Sequence, residues 1–202
     1  MLFAPEYSCH CGKLRATIHD VTPSTGNLAR CHCLDCQAFA IWLTGQGGAD
    51  VLDESGGSEL FQTLAWRLDF TQGKDEYLQA IRLSPKGMIR WYASCCHSPI
   101  ANMMGSKSMS LIGMPTCGFH ENAIDKMGPM RASMFAKAAR KGSTPPDDFG
   151  FLPVISRILW RQLKAKMRAK TRYSPFWTEA GETIVAPKIL TLDERKAVTP
   201  KV

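Results

Sequence analysis

The chain has 202 residues, of which 45% are hydrophobic and 21% are charged, and its formal net charge at pH 7 is +7. This length suits one domain with its own core plus an appendage or a second small domain, and the composition is that of a globular protein. The eight cysteines fall short of the density of a disulfide scaffold, which is about one residue in ten.

The N-terminal stretch "MLFAPEYSCHCG" lacks the basic n-region and the apolar h-region of a secretory signal peptide. No apolar run approaches the roughly eighteen residues of a membrane-spanning helix. We therefore expect a cytoplasmic protein whose cysteines stay reduced, and clustered cytosolic cysteines more often bind metal or do chemistry than form disulfides.

Alternation of polar and apolar residues predicts a mostly antiparallel β domain over the first 120 residues. Pro85 and Gly87 suit a turn that makes a hairpin of the two segments around it. Residues 44–58, with five glycines, are predicted to form a loop. The predicted strands are KLRATIH (13–19), WRLDF (66–70), EYLQAIRL (76–83), MIRWYAS (88–94) and SMSLIG (108–113).

After residue 120 the pattern becomes helical and basic. A helix is predicted over 129–142, with Pro129 in its first turn and Gly142 as its stop, and residues 142–150 form a linker. A longer helix is predicted from residue 152 to a point before Pro175, and its apolar face is expected to pack on the domain while basic residues face solvent. That face comprises Ile155, Ile158, Leu159, Leu163 and Met167.

Charge supports a division of the chain at this point. Residues 130–173 carry eleven Lys and Arg against Asp147 and Asp148, a charge of +9, which leaves −2 for the rest of the chain. We therefore predict a cysteine-bearing β domain over 1–120 and a basic helical extension over 121–202.

The cysteines are grouped by short spacings. Cys9 and Cys11 form a C-x-C pair, Cys31, Cys33 and Cys36 form a C-x-C-x-x-C triplet, and Cys95 and Cys96 are adjacent. If the C-x-C segments are extended, each pair presents two thiols on one face, which suits a tetrahedral zinc ion better than a short, strained disulfide ring. We expect zinc binding over free, merely buried cysteines, with one or two ions per chain.

Two other readings of the triplet stay open at this stage. Cys33 and Cys36 form a C-x-x-C, but a thioredoxin-like redox site would require a βαβ context, and the surroundings are predicted to be strand and loop. Asp35 could serve as a general base, although a residue between ligands usually faces solvent.

The ordered motifs "SCHCG", "CHCLDC" and "IRLSPKGMIRWYASCCHSPI" resemble the glutathione-dependent formaldehyde-activating enzyme (GFA) family, which includes centromere protein V. The resemblance covers residues 7–105. It implies a mainly β, zinc-binding antiparallel fold of the GFA type, here with a C-terminal α-helical extension. It also implies that the first and last cysteine pairs close a structural zinc site, whereas the triplet holds a more open, catalytic zinc that accepts a glutathione thiol adduct.

The chain departs from the family pattern at the late cysteines. Cys96 matches the second cysteine of the family motif, but the first falls on Ala93, and His97 stands where the family has glycine. Adjacent strand residues point to opposite faces, so Cys95 can join Cys96 at one ion only if the backbone kinks. Otherwise His97, Cys117 or His120 would supply the fourth ligand.

Two functions of different classes follow. The first is a carbon–sulfur lyase that acts on glutathione or other thiol adducts of small aldehydes, with Cys31, Cys33 and Cys36 as the catalytic site. The second is a non-catalytic, zinc-stabilised binding module whose basic C-terminal helix contacts nucleic acid or an anionic membrane surface. The aromatic residues in and after that helix are expected to pack in the core or at an interface rather than stack on bases. These residues are Trp160, Tyr173, Phe176 and Trp177.

Overall fold

The structure is a computed structural model that describes residues 3–144, 146–170 and 173–200. The protein is mainly β, with two sheets and a few helices. The strands are β1 (Glu6–Ser8), β2 (Arg15–Ile18), β3 (Asn27–Cys31), β4 (Ser58–Leu64), β5 (Leu68–Gln72), β6 (Leu78–Arg82), β7 (Ile89–Ala93), β8 (Ser98–Met103), β9 (Leu111–Pro115), β10 (Met130–Met134) and β11 (Lys188–Ile189).

A small sheet has the order β1-β2-β5, and a large sheet has the order β10-β3-β4-β9-β8-β7-β6-β11. Neighbours are antiparallel except at the two edges of the large sheet, where β10 runs parallel to β3 and β11 runs parallel to β6. The predicted hairpin is confirmed, since β6 and β7 pair with Ala80 opposite Trp91. The predicted glycine-rich loop is confirmed as well, since the chain between Gly45 and Ser58 contains neither helix nor strand.

The helices are α1 (Leu34–Gly45), α2 (Lys74–Tyr77), α3 (Glu121–Lys126), α4 (Phe151–Met167) and α5 (Leu192–Val198). Among the described residues, no helix combines the length and the hydropathy that a membrane crossing requires.

Helix α1, directly after the cysteine triplet, is a feature that the sequence patterns did not predict. Its buried residues lie on nearly all sides of the helix, so the segment shows no amphipathic period to read. They are Gln37, Ala38, Phe39, Ala40, Trp42 and Leu43.

The helix predicted over 129–142 is wrong. Met130–Met134 is a strand, β10, and only Ala136–Ala138 forms a short 3₁₀ turn. Ala132 and Met134 are buried between β3 and α4. Pairing with the open edge of β3 therefore outweighs the helical propensity of the segment.

The longer predicted helix is confirmed as α4, but the side that packs on the domain is not the predicted one. Its buried residues are Val154, Ile158, Gln162 and Ala165. Of the predicted apolar face only Ile158 is buried, whereas Leu159, Leu163 and Met167 are 56%, 48% and 70% exposed. Residues 171 and 172, near the predicted end of this helix and including Arg172 of the basic segment, lie outside the described residues.

Residues after 120 take part in both edges of the large sheet through β10 and β11. Phe176 is fully buried in the main core, where its ring lies 4.9 Å from that of Trp91 and 5.7 Å from that of Phe70. Trp177 packs partly buried against the same core, whereas Trp160 and Tyr173 are exposed. Core packing is thus the role of two of the four aromatic residues.

Candidate metal centres

The first cysteine cluster joins a turn after β1 to the turn between β7 and β8. Cys9 follows β1 directly, and its carbonyl oxygen accepts a hydrogen bond from the Gly12 amide at 2.9 Å, which curls the chain so that Cys11 faces the same point. The extended geometry expected for this C-x-C pair is therefore wrong: the pair lies in a turn. Cys95 and Cys96 occupy the turn formed by residues 94–97.

The four sulfur atoms lie close enough for one metal ion. All of them lie within 4.8 Å of one another. The Cys9 sulfur is 3.7 Å from those of Cys11 and Cys95, and the Cys95 sulfur is 3.3 Å from that of Cys11 and 3.9 Å from that of Cys96. Zinc–sulfur bonds of about 2.3 Å in a tetrahedron place the sulfurs about 3.8 Å apart. The donor set and its spacing therefore fit a closed, four-thiolate zinc site.

The adjacent cysteines lie in the turn of residues 94–97 and not in a strand, so both of them can face one point. His97 has a φ of +52°, which lies in the left-handed region that residues other than glycine rarely adopt. Its ring stacks on Tyr92 with centroids 5.9 Å apart. Within the described chain, His97, Cys117 and His120 join neither cysteine cluster, so Cys95 is the residue brought to the fourth position.

The thiols of this cluster differ in acidity. Burial alone would raise the pKa of Cys96, but hydrogen bonds from the Ser98 hydroxyl and from the backbone amides of Cys11 and Ser98 lower that pKa to about 6. Burial raises the pKa of Cys95 instead, and hydrogen bonding with Cys11 and Cys9 raises it further. The cluster therefore favours one thiolate near neutral pH, and a metal ion would displace the remaining protons.

The triplet forms a second cluster at the junction of β3 and α1. Cys31 is the last residue of β3, Cys33 precedes the first turn of α1, and Cys36 lies in that turn. The Cys33 carbonyl oxygen accepts hydrogen bonds from the amides of Cys36 and Gln37 at 3.0 and 3.2 Å. The first turn of α1 therefore fixes the backbone that carries Cys33 and Cys36. The three sulfurs lie within 4.8 Å of one another. Three thiols, with no fourth ligand beside them among the described residues, fit a metal ion that keeps one coordination position for another ligand.

Arg90 is a component of this site that the sequence patterns did not single out. It is only 1% exposed, and its guanidinium donates a 3.1 Å hydrogen bond to the Asn102 side chain, lies 3.9 Å from the Cys36 sulfur and packs over the Phe39 ring. Three thiolates on a divalent metal carry a net charge of −1, and a buried guanidinium balances that charge. An arginine between Ile89 and Trp91, in an otherwise apolar strand, is the signal that would have found it.

Hydrogen bonds from Cys31 and Cys33, and then the nearby Arg90 guanidinium, lower the pKa of Cys36 well below the usual thiol value. Hydrogen bonding with Cys33 and Cys36 raises the pKa of Cys31. The positive end of the α1 dipole also favours a thiolate in its first turn. The triplet therefore shares one negative charge before any metal binds.

The loops that hold the triplet are fixed by buried polar groups. Gln37 donates hydrogen bonds to the carbonyl oxygens of His32 and Ala138 at 2.7 and 2.5 Å. The buried His32 ring lies 3.0 Å from the Ser55 hydroxyl and 3.3 Å from the Met134 carbonyl oxygen. His32 therefore acts as a scaffold residue.

The alternative roles weighed for the triplet also have structural outcomes. Asp35 forms an ion pair with Arg195 of α5 at 2.5 Å, which fixes its carboxylate to the C-terminal helix. Cys33 and Cys36 do start a helix after a strand, but the next strand, β4, pairs antiparallel with β3, so the unit is not βαβ. Next to Cys36 and Arg90 lies a cavity of about 10 Å³, room for roughly one water molecule. A larger ligand does not fit in this cavity, and Cys33 and Cys36 are both partly exposed.

The fold and the two cysteine clusters define a mainly β protein with two sites that could hold metal ions. The chain belongs to DUF6151, a family of unknown function, whose family model matches residues 3–186. No curated protein matches the chain. A crystal structure of a Rhodobacter sphaeroides protein is similar over 62% of this chain and 96% of that chain, with a TM-score of 0.42 and 13% identity. A likeness of that degree carries no argument about function.

Proposed function

We propose that the protein binds two zinc ions and that the triplet site acts on thiol compounds, as a carbon–sulfur lyase of the GFA type for adducts of glutathione or another thiol with small aldehydes. The observation that carries the proposal is the difference between the clusters, since one offers four sulfur ligands and the other three. A zinc site with four protein ligands is structural, whereas three protein ligands leave a position for a substrate.

The residues of the triplet site have distinct parts in this proposal. Cys31, Cys33 and Cys36 would hold the ion, and zinc bound there would stabilise the thiolate form of a substrate thiol near neutral pH. Arg90 balances the negative charge of the thiolates from its buried position beside Cys36. Cys33, which is half-exposed, lies on the side from which a thiol adduct approaches.

Metal analysis of the purified protein tests the first half of the proposal. We expect about two zinc ions per chain, because each cluster supplies a complete set of protein ligands for its type of site. A content near one would mean that one cluster is not a metal site, and a protein without any metal would overturn the proposal.

Calorimetric titration with glutathione tests the second half. We expect Cys33→Ser to lose one zinc ion and the glutathione affinity while the fold remains, and Cys9→Ser to unfold the domain, because the binding energy of a structural metal is folding energy. Cys117→Ser, outside both clusters, is the matched control and should retain both ions. Glutathione binding that survives Cys33→Ser, or a parent protein that binds no thiol, would refute the thiol-binding role.

A second candidate function, docking on an anionic membrane surface, is supported by the exposed flank of α4. Leu159, Leu163 and Met167 are more than two-fifths exposed, and Lys166 lies on the same flank of the helix. An apolar flank beside basic residues is typical of helices that lie in a membrane interface. Nucleic-acid interfaces are more polar, so this flank favours the membrane over nucleic acid.

Flotation with lipid vesicles tests this candidate. We expect binding to vesicles of phosphatidylcholine mixed with phosphatidylserine, weaker binding to phosphatidylcholine alone, and loss of binding in the Leu159→Gln, Leu163→Gln double variant. Leu192→Gln is the control, since Leu192 is an exposed leucine on α5. Equal flotation of the double variant and the control would exclude docking through α4.

A further inference from the structure

A cationic cleft lies on the flank of α4 opposite its exposed apolar residues. Its other wall is formed by the 3₁₀ turn Ala65–Arg67 and by the loop around residues 20–25. The cleft has a volume of about 540 Å³, and among the described residues one carboxylate, that of Asp20, lines it together with six cations. Asp20 is paired with one of them, Arg67, at 2.8 Å. The cations are Arg67, Arg157, Arg161, Lys164, Arg168 and Lys170.

Two of these arginines are held in place by backbone carbonyls. Arg157 donates to the Pro23 carbonyl oxygen at 2.6 Å, and Arg161 donates to those of Ser24 and Gly26 at 2.9 and 2.8 Å. Both also donate to the Asn27 side chain at 3.0 Å. The guanidinium groups are therefore pre-organised, and a ligand would not have to pay the entropy of ordering them.

The same cluster has buried donors without acceptors. Among the described residues, no group accepts a hydrogen bond from Arg161 Nη1, Arg67 Nε or Trp66 Nε1, and all three atoms are buried. Burial and, after it, the charges of Arg157, Arg67 and Arg131 together lower the pKa of Arg161 to about 10. Like charges in one cleft are costly, and a bound anion would relieve that cost.

Two lysines of the cleft lie against aromatic rings. The Lys164 ammonium lies 4.8 Å from the Trp160 ring centroid, and the Lys170 ammonium lies 4.2 Å from that of Trp66. The Arg67 guanidinium lies 4.3 Å from the same Trp66 ring centroid. These cation–π contacts keep the ammonium groups beside the cleft rather than extended into solvent.

We infer that this cleft binds the phosphate group of a small compound, either a phosphate monoester or a pyrophosphate. Guanidinium groups match phosphate oxygens with two parallel hydrogen bonds, and six cations against one carboxylate call for a ligand with at least two negative charges. The volume is that of a small-molecule site rather than of an extended nucleic-acid groove. The site is separate from both cysteine clusters, and the inference does not rest on the proposed zinc chemistry.

Calorimetric titration of the purified protein, with all of its 202 residues, with inorganic pyrophosphate tests the inference. We expect saturable binding of one pyrophosphate, weakened by about tenfold or more in the Lys164→Ala, Arg168→Ala double variant, which loses two charge-assisted contacts. The control is the Lys166→Ala, Lys196→Ala double variant, which removes the same charge from exposed positions outside the cleft and should bind within about twofold of the parent. Arg157 and Arg161 are left unchanged because they also anchor α4.

Three results would overturn the inference. They are the absence of pyrophosphate binding at low salt, equal weakening in the two double variants, which would indicate an unspecific charge effect, and binding of a single-stranded thymidine oligonucleotide by a protein that ignores pyrophosphate. Circular dichroism verifies the fold of each variant. If the cleft double variant does not fold, Lys164→Ala alone provides the same comparison with Lys166→Ala.

Discussion

Replacing Phe176 by alanine tests whether the C-terminal part of the chain belongs to the main core. The Phe176 side chain is fully buried, with its ring 4.9 Å from that of Trp91 and 5.7 Å from that of Phe70. Truncation removes the apolar contacts of the Phe176 ring and leaves a cavity beside Trp91 and Phe70. Phe-to-Ala changes at such sites cost about 3–5 kcal/mol of unfolding free energy.

A loss of this size is readily measured. For a chain of this length, each kcal/mol lowers the melting temperature by about 2–4 °C, so Phe176→Ala should lower it by roughly 6–20 °C. Urea unfolding followed by circular dichroism should show a matching fall in the midpoint with little change in its slope. Zinc concentration is held equal in all samples, since bound metal adds to stability.

Tyr173→Ala is the matched control in the same segment. Tyr173 is 53% exposed, and its hydroxyl donates a 2.7 Å hydrogen bond to Asp69 at the surface. Its loss should cost no more than about 1 kcal/mol. Equal stability of Phe176→Ala and Tyr173→Ala would refute the reasoning, because the core would then be closed without the C-terminal part.

Three further predictions concern the scaffold. Asp53→Asn should cost about 1–2 kcal/mol of unfolding free energy at pH 7. Burial would raise the pKa of Asp53, but hydrogen bonds from Ser55 and Gly57 and the Arg30 charge lower it, so the ionised form stabilises the fold above about pH 4. In urea titrations, the difference between variant and parent should close as pH falls through the lowered pKa of the folded state. Gly150→Ala should destabilise the protein more than Gly142→Ala, by about 1 kcal/mol or more in thermal unfolding. Both glycines have a positive φ, but only at Gly150 would a Cβ overlap a neighbour, the Arg131 carbonyl oxygen. Equal losses of stability would contradict the described docking of α4. Removing metal with a chelator should lower the melting temperature and zinc should restore it, because the first cluster ties two separate turns together; an unchanged melting temperature after verified metal removal would contradict this.

The sequence by itself determined the local features. The hairpin of β6 and β7 follows from alternation around the turn of Pro85 and Gly87, and the closeness of the thiols within each C-x-C or C-x-x-C motif follows from their spacing, because both signals lie within a few residues of one another. The meeting of the first and last cysteine pairs was implied only by the GFA resemblance. The start of α4 was also predictable from its period, but the helix ends at Met167, well before the predicted end near Pro175. The GFA resemblance and the thiol chemistry that it implies remain proposals.

Only the tertiary structure decided how these pieces meet. Residues 130–134 form a strand because β3 has an unpaired edge. Helix α1 could not be predicted because a helix that is buried on nearly all sides has no amphipathic pattern in its sequence. The turn at His97 brings Cys95 to the first cluster, and Arg90 reaches the second from a strand more than fifty residues away. The side of α4 that packs buries Val154 and Ile158 against β10 and lets Arg157 and Arg161 donate hydrogen bonds to loop carbonyls. Such long-range partners leave no periodic mark in the sequence, so the cationic cleft and the exposed apolar flank emerge only when the chain is folded.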